Sequence, residues 1–297
     1  MDAKVTHQIA ELAHLGLLAM EGSDARPFLH AQLTNDVEHL APGRARYAGW
    51  CSAKGRLLAT FLVVAYRDRF LLQLARDLAP AVAKRLAMFI LRSKVKLAEA
   101  SEAWAQHGFW GAGAEARIAT LGFPVPTADL AVTETDGALA VRIEPQRFLV
   151  LAPAAMRERI APNAPADAWT LAEIRAGRPL IVQATQDQFV PQMVNLELTG
   201  GVDFSKGCYP GQEIVARAQH RGQVKRRMVR VRTPGPLRPG QDLFSDDLPG
   251  QPTGTVVNAA GDEALAVLQT STVQSRAVVR AGADGAALEV LPLPYSQ

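Results

Sequence analysis

The 297-residue sequence has only two cysteines, Cys51 and Cys208, and that scarcity excludes several chemistries. Two thiols cannot build a disulfide framework. Neither belongs to a C-x-x-C pair or lies near a spaced set of histidines, which argues against a zinc site. Two are also too few to hold an ordinary iron–sulfur cluster within one chain. No metal site is expected. Long apolar runs are missing as well: the best, Leu57 to Ala65, is far too short to span a bilayer. The start of the chain, MDAKVTHQIAELAHLG, lacks the basic opening and continuous apolar core of a signal peptide. These absences predict a cytoplasmic protein with no membrane partner.

Net charge of one sign is also scarce, at +3. Acid, however, is missing from one stretch. RAQHRGQVKRRMVRVR, Arg217 to Arg232, carries seven Lys/Arg and neither Asp nor Glu. Two readings stand: a solvated strand edge or linker, or a patch making weak contact with RNA or another polyanion.

What is present is an ordinary soluble balance, 48% hydrophobic and 21% charged, over a length that calls for two or three compact units. The first hundred residues alternate strand and helix signals. HLGLLAMEG reads as a strand. In GSDARPFLHAQLTNDV, Ser23 or Asp24 is a helix N-cap, Pro27 sits near the first turn, and Phe28, Leu29 and Leu33 share a buried face. ARYAGWCS, RLLATFLVVAY and FLLQLAR read as antiparallel strands joined by the turns AKG and RDR. Val82, Leu86, Phe89 and Ile90 then recur at helical spacing. A second α+β unit is expected over 101–166. Asp167 is a cap for a helix that ends at Gly177. From Val224 onward, short strands between Pro/Gly turns predict a small β-barrel or sandwich.

Chemistry concentrates in FSKGCYPGQEIVAR, Phe204 to Arg217. Pro210 suits the first position of a helix running through GQEIVARAQ. Cys208 would then precede a helix N-terminus, where backbone N–H groups favour a thiolate. Lys206 adds positive charge, and Gly207 and Gly211 permit close approach of a ligand. The other reading is a small buried side chain beside a tight turn. A Cys–His nucleophile with His220 is disfavoured, because twelve residues of helix span about 18 Å.

The segment FVPQMVNLELTGGVDFSKGCYPGQEIVARAQHRGQVKRR resembles the signature of the YgfZ family, folate-binding proteins linked to tRNA modification and themselves similar to the aminomethyltransferase (T-protein) of the glycine cleavage system. AQLTNDV, AKGR, SKV and the terminal LPLPYS fall where that family places comparable segments. The resemblance implies an α+β, T-protein-like fold: two ferredoxin-like α+β folate-binding subdomains around a central hole and a C-terminal small β-barrel. The segments would be 1–100 with 167–223, then 101–166, then 224–297.

The resemblance also implies a folate-binding accessory protein for iron–sulfur and tRNA-modifying enzymes. Its functional motif would be Lys206, Gly207, Cys208, Tyr209, Gly211, Gln212 and Glu213, and its cofactor tetrahydrofolate or a folate derivative. Folate contacts would fall at Trp169, Asn195, Lys54 and Arg217. For Trp169, ordinary core packing is the competing reading, since an indole face suits a pteridine and a core equally. Three columns depart from the family and its T-protein relative. A second family tryptophan corresponds to Leu15. A pterin-reading glutamate of the T-protein corresponds to Arg175, with Glu173 two residues away. The T-protein's aspartates for methylene transfer correspond to Ala59 and Thr60. Without a carboxylate there, the proton and iminium chemistry loses its electrostatic partner. A tetrahydrofolate-dependent aminomethyl or one-carbon transferase is therefore the alternative, and a direct RNA-binding module a third reading.

Overall fold

Short apolar runs between turn residues recur along the chain, and the computed structural model resolves its described residues into sixteen strands and six α-helices. It describes residues 7–221 and 224–296, with the backbone alone at 220 and 221. In chain order the first half holds β1 (Gln8–Glu11), β2 (Leu15–Glu21), α1 (Ala25–Gln32), β3 (Ala45–Cys51), β4 (Leu57–Tyr66), β5 (Arg69–Ala75), α2 (Ala79–Ile90), β6 (Lys96–Glu99), β7 (Trp104–Trp110), α3 (Ala114–Thr120), β8 (Val132–Thr135), β9 (Ala138–Glu144) and β10 (Arg147–Pro153). The second half holds α4 (Ala166–Arg175), α5 (Gln212–Arg221), β11 (Arg226–Arg232), β12 (Asp242–Ser245), β13 (Pro252–Ala260), β14 (Glu263–Gln269), α6 (Thr270–Ser275), β15 (Val279–Arg280) and β16 (Ala287–Leu291). The strands form two five-stranded sheets, β1-β7-β10-β9-β8 and β3-β4-β5-β2-β6, and a closed barrel, β11-β14-β13-β12-β15-β16.

The chain divides into two compact units. One takes Met1–Phe28, Glu38–Arg46 and Leu62–Trp169; the other takes Leu29–Val37, Tyr47–Phe61 and Thr170–Gln297. In the first, Phe109, Phe148, Val150, Ile118 and Ile160 form an apolar core between the β1-containing sheet and α3. After β10 the chain turns through a 3-10 helix, Ala154–Arg159. The edge strand β1 was not anticipated. Its four residues pair with β7, Gln8 opposite Trp110 and Glu11 opposite His107. In α2, Val82 and Leu86 are buried as their spacing predicts, but Phe89 is 44% exposed.

In the second unit the barrel closes over Val231, Leu243, Val256, Ala266 and Leu268, with every strand paired on both sides. Closure removes the exposed edges that an open sheet would leave. One capping expectation needs correction and one holds. Asp167 lies inside the first turn of α4 rather than at its cap, because Ala166 already starts the helix. Gly177 ends that segment in the left-handed region, φ +67, as a glycine after a helix commonly does.

Candidate functional site

The site begins with α1. Its buried face holds Phe28, Leu29 and Leu33, as the helical spacing requires. Its last turn leaves carbonyl oxygens without intrahelical partners. Lys206 supplies the missing donor: its Nζ donates to the carbonyl oxygens of His30 and, at 2.8 Å, Leu33. A cation at a helix C-terminus also meets the negative end of the helix dipole. Burial pushes the Lys206 ammonium down to about 8, and Asp36, Asp203 and Cys208 pull it partly back. The same Nζ lies 4.8 Å from the ring centroid of Tyr209.

The AQLTNDV segment fixes the approach to the cysteine. Thr34 Oγ1 donates to the carbonyl of Gly201 at 2.6 Å, and Asn35 Nδ2 donates to that of Gly200 at 2.6 Å. Asp203 N donates to the Thr34 carbonyl at 3.0 Å. The Asp203 carboxylate then accepts from Ser205 Oγ and from the backbone N of Ser205 and Lys206, which holds its pKa below the usual range, the Ser205 hydroxyl contributing most. His30 and Asp36 form a pair, Nδ1 to Oδ1 3.1 Å, and a side chain grafted at Gly207 would sit 3.6 Å from His30 Nε2. None of His30, Thr34, Asn35, Asp36 and Asp203 was singled out from sequence. AQLTNDV is the sequence signal for Thr34, Asn35 and Asp36, legible only as a family segment; His30 and Asp203 lie outside it.

Beyond the cysteine the loop is locked by two glycines. The turn after β3 closes through Gly55 N to Ser52 O, 2.8 Å. Gly55 has φ +69 and Gly211 φ +78. A Cβ on Gly211 would lie 2.6 Å from Gly55 Cα, and one on Gly55 2.8 Å from the Ile214 Cβ. The AKGR turn and the PGQE loop therefore touch backbone to backbone, a contact that only glycine allows. Pro210 is not the first helical residue as expected: Pro210 and Gly211 form a turn, and α5 begins at Gln212. With its left-handed φ Gly211 is not itself helical; its carbonyl accepts from Val215 N at 3.2 Å and α5 follows. Cys208 thus stands four residues before α5 rather than at its N-terminus.

Cys208 is exposed and Cys51 buried, both with free thiols. Burial, reinforced by Asp187, pushes the Cys51 thiol up to about 12. Tyr209, 7% exposed, is also shifted upward, by burial first and then by Cys51. Gly207 and Glu213 are exposed, and Gln212 is half-buried. The motif therefore separates into an inward anchor, Lys206 and Tyr209, and an outward thiol.

The expected folate contacts divide as well. Lys54, on the turn, and Arg217, on α5, are exposed. Asn195 is fully buried: its Nδ2 donates to the carbonyl of Met228 at 2.9 Å and its Oδ1 accepts from Arg227 at 3.3 Å. Its amide is spent on the barrel, so the expectation that it contacts folate is corrected. Trp169 belongs to the first unit. A Cβ on Gly108 would lie 2.6 Å from both Cδ2 and Cζ3 of the indole, so the ring lies against that backbone. The Arg147 guanidinium is 4.2 Å from the ring centroid, and Trp110 meets the ring edge-on at 5.8 Å. At 4% exposure the indole has no open face for a pteridine, and the core-packing reading of Trp169 is the one the geometry fits.

The departing columns are engaged too. Ala59 is fully buried, and Thr60 Oγ1 accepts from Ile181 N at 3.0 Å. Arg175 pairs with Glu263 at 2.9 Å, and Glu173 with Arg178 at 3.1 Å. In the basic run, Arg227 binds Glu197, Arg230 lies 3.6 Å from Glu263, and Arg232 is 2.6 Å from Glu289. Lys225 and Arg226 are exposed. Gly222, Gln223 and the side chains of His220 and Arg221 lie outside the described residues. Among the described residues no cluster of His, Cys, Asp and Glu has the makings of a metal site, and no helix is long and apolar enough to cross a membrane.

Two family models match the chain: the GCVT N-terminal domain over residues 3–131 and the CAF17 C-terminal beta-barrel domain over residues 225–294. The tRNA-modifying protein YgfZ of Klebsiella pneumoniae is 30% identical over 99% of this chain and 95% of its own. That of Photorhabdus laumondii is 31% identical over 95% and 90%. The chain belongs to the YgfZ family. Its fold is that of the aminomethyltransferases. The glycine cleavage system aminomethyltransferase T from Bartonella henselae superposes with a TM-score of 0.76, at 18% identity, over 97% of this chain and 86% of that one. As a YgfZ family member, the chain presents its KGCYPGQE motif on the scaffold of that fold.

Proposed function

We propose that this chain is an accessory protein for iron–sulfur and tRNA-modifying enzymes and that it acts through Cys208. The carrying observation is an exposed thiol on a loop whose neighbours are committed to holding it, Lys206 to the end of α1 and Gly211 to the AKGR turn. The names of its relatives, tRNA-modifying proteins, support the same direction, and the reading places the protein in the cytoplasm with those enzymes. In a strain lacking the gene, the wild-type protein restores tRNA thiomethylation and iron–sulfur enzyme activity, and Cys208→Ser does not. Full restoration by Cys208→Ser would overturn the reading.

Folate belongs to the proposal in a narrower form than the resemblance implies. A folate carries a flat pterin and a carboxylate tail. Lys54, next to the Gly55 that approaches Ile214, and Arg217, three residues after Ile214 on α5, are exposed cations, and they suit the tail. Trp169 and Asn195 are not available to the pterin. Tetrahydrofolate titration followed by intrinsic fluorescence should give saturable binding. Lys54→Ala and Arg217→Ala should each weaken it about tenfold, the size of one charge-assisted contact. Unchanged affinity in both would remove folate from this surface. One-carbon transfer is the weaker alternative, since the column that would need a carboxylate holds Ala59 and Thr60, buried and hydrogen-bonded into the fold.

A further inference from the structure

The mouth of the barrel carries a groove that the Cys208 reading does not use. It is about 660 Å³ in volume and lies among the end of α5, the start of β11, the end of β14 and α6. That volume is of the size that takes a small organic ligand. Val224, Val229 and Val273 give it apolar surface. Gln219, Gln269 and Gln274 bring side-chain amides, Thr270 and Ser271 hydroxyls, and Lys225 and Arg227 cations. No carboxylate is among its described lining residues. Arg227 already answers Glu197, so the charge left for a ligand is that of Lys225. Arg226 beside it on the strand and Arg217 on α5 are exposed too, and neither has an acid partner among the described residues.

We propose that this groove binds a nucleotide unit, its base against the valines and the glutamine amides, its phosphate on Lys225. The chemistry follows from the lining. Apolar surface beside side-chain amides suits a base with a flat face and a donor–acceptor edge. A cation without a carboxylate nearby suits a phosphate. A purely apolar ligand would strand the amides, and a groove whose described lining carries Lys225 and no acid disfavours a cationic one. An RNA strand and a free nucleotide both present such a unit, and the test separates the two. The inference rests on the groove alone: its failure would leave the proposed role of Cys208 standing, because that proposal is tested in cells by tRNA modification.

The experiment uses the full-length protein at 50 mM KCl with three probes: bulk tRNA, a fluorescent 12-nucleotide RNA and 5′-AMP as competitor. Wild type binds the RNA probes, and binding falls as salt rises. Lys225→Gln weakens binding several-fold and lowers the salt slope by about one, as loss of one phosphate contact does. Ser271→Asp, which places a carboxylate in the groove, abolishes binding. Arg232→Gln, at the far end of β11 and committed to Glu289, behaves as wild type. Thermal melts of the variants exclude misfolding as the cause. Saturable 5′-AMP binding that Lys225→Gln weakens, without RNA binding, supports the groove and identifies a free nucleotide as the source. The proposal is overturned if none of the three probes binds, if Ser271→Asp binds as wild type, or if Arg232→Gln weakens binding as much as Lys225→Gln.

Discussion

At the scale of single residues, the two cysteines are chemically opposite. Cys208 is exposed, whereas burial lifts the Cys51 thiol to about 12. Iodoacetamide at pH 8 should therefore label one thiol per native chain, at Cys208, and a second only after denaturation, with peptide mass spectrometry as the readout. A second native label at Cys51 would contradict the burial. The raised pKa also has a sign for stability. A thiol whose folded pKa exceeds its unfolded value of 9.0 contributes stability that is complete below pH 9 and is lost as pH rises through about 12. The stability gap between wild type and Cys51→Ala should thus shrink from pH 9 upward in urea melts. Trp169→Ala should cost about 3–5 kcal/mol, the usual range for emptying an aromatic core site, and lower Tm regardless of folate. The surroundings of Cys208 left two readings open, a thiol at a helix start and a small buried side chain, and its exposure excludes the second. The fates of Trp169 and Asn195 were not legible, because both are set by partners distant in sequence: Gly108 for the indole, Met228 for the amide.

At the scale of elements, sequence legibility followed locality. β2, β4, β5 and α1 were readable from periodicity and turn residues, since each is specified within its own stretch. β1 was not, because four residues become a strand only by pairing with β7, about a hundred residues away. The start of α5 was misplaced for a related reason. Pro210 is compatible with a first helical turn, yet contact with the AKGR turn holds Gly211 at φ +78. That contact predicts a sensitive position. Gly211→Ala combines an unfavourable φ with a Cβ 2.6 Å from Gly55 Cα, so a loss of at least about 2 kcal/mol is expected in chemical denaturation. Limited proteolysis should show the 205–212 loop cut first in the variant. Wild-type stability in Gly211→Ala would mean that the backbone contact carries no weight.

At the scale of the molecule, the fold class was readable because alternating strands and Pro/Gly turns recur through the tail, and the family resemblance ran along most of the chain. The fold of the aminomethyltransferases is kept at 18% identity to one of them. The pattern of buried apolar positions therefore carries the fold at that low identity. Closure of the barrel gives a whole-chain expectation. Amide exchange should be slowest in β13 and β14, which have hydrogen-bonded neighbours on both sides and fully buried residues such as Val256 and Leu265. Faster exchange there than in the 198–212 segment would contradict a closed barrel.

The hook of Lys206 on the end of α1 has a kinetic side. With Lys206 tethered two residues before Cys208 and Gly211 wedged three residues after it, the thiol has little chain left to wander on. A partner that meets it need not immobilise a floppy loop, and association is spared that entropic cost. Lys206→Met would leave the thiol exposed but cut its leash. Its intrinsic reactivity toward a small alkylating agent would then survive better than its encounter with a large, shape-matched client.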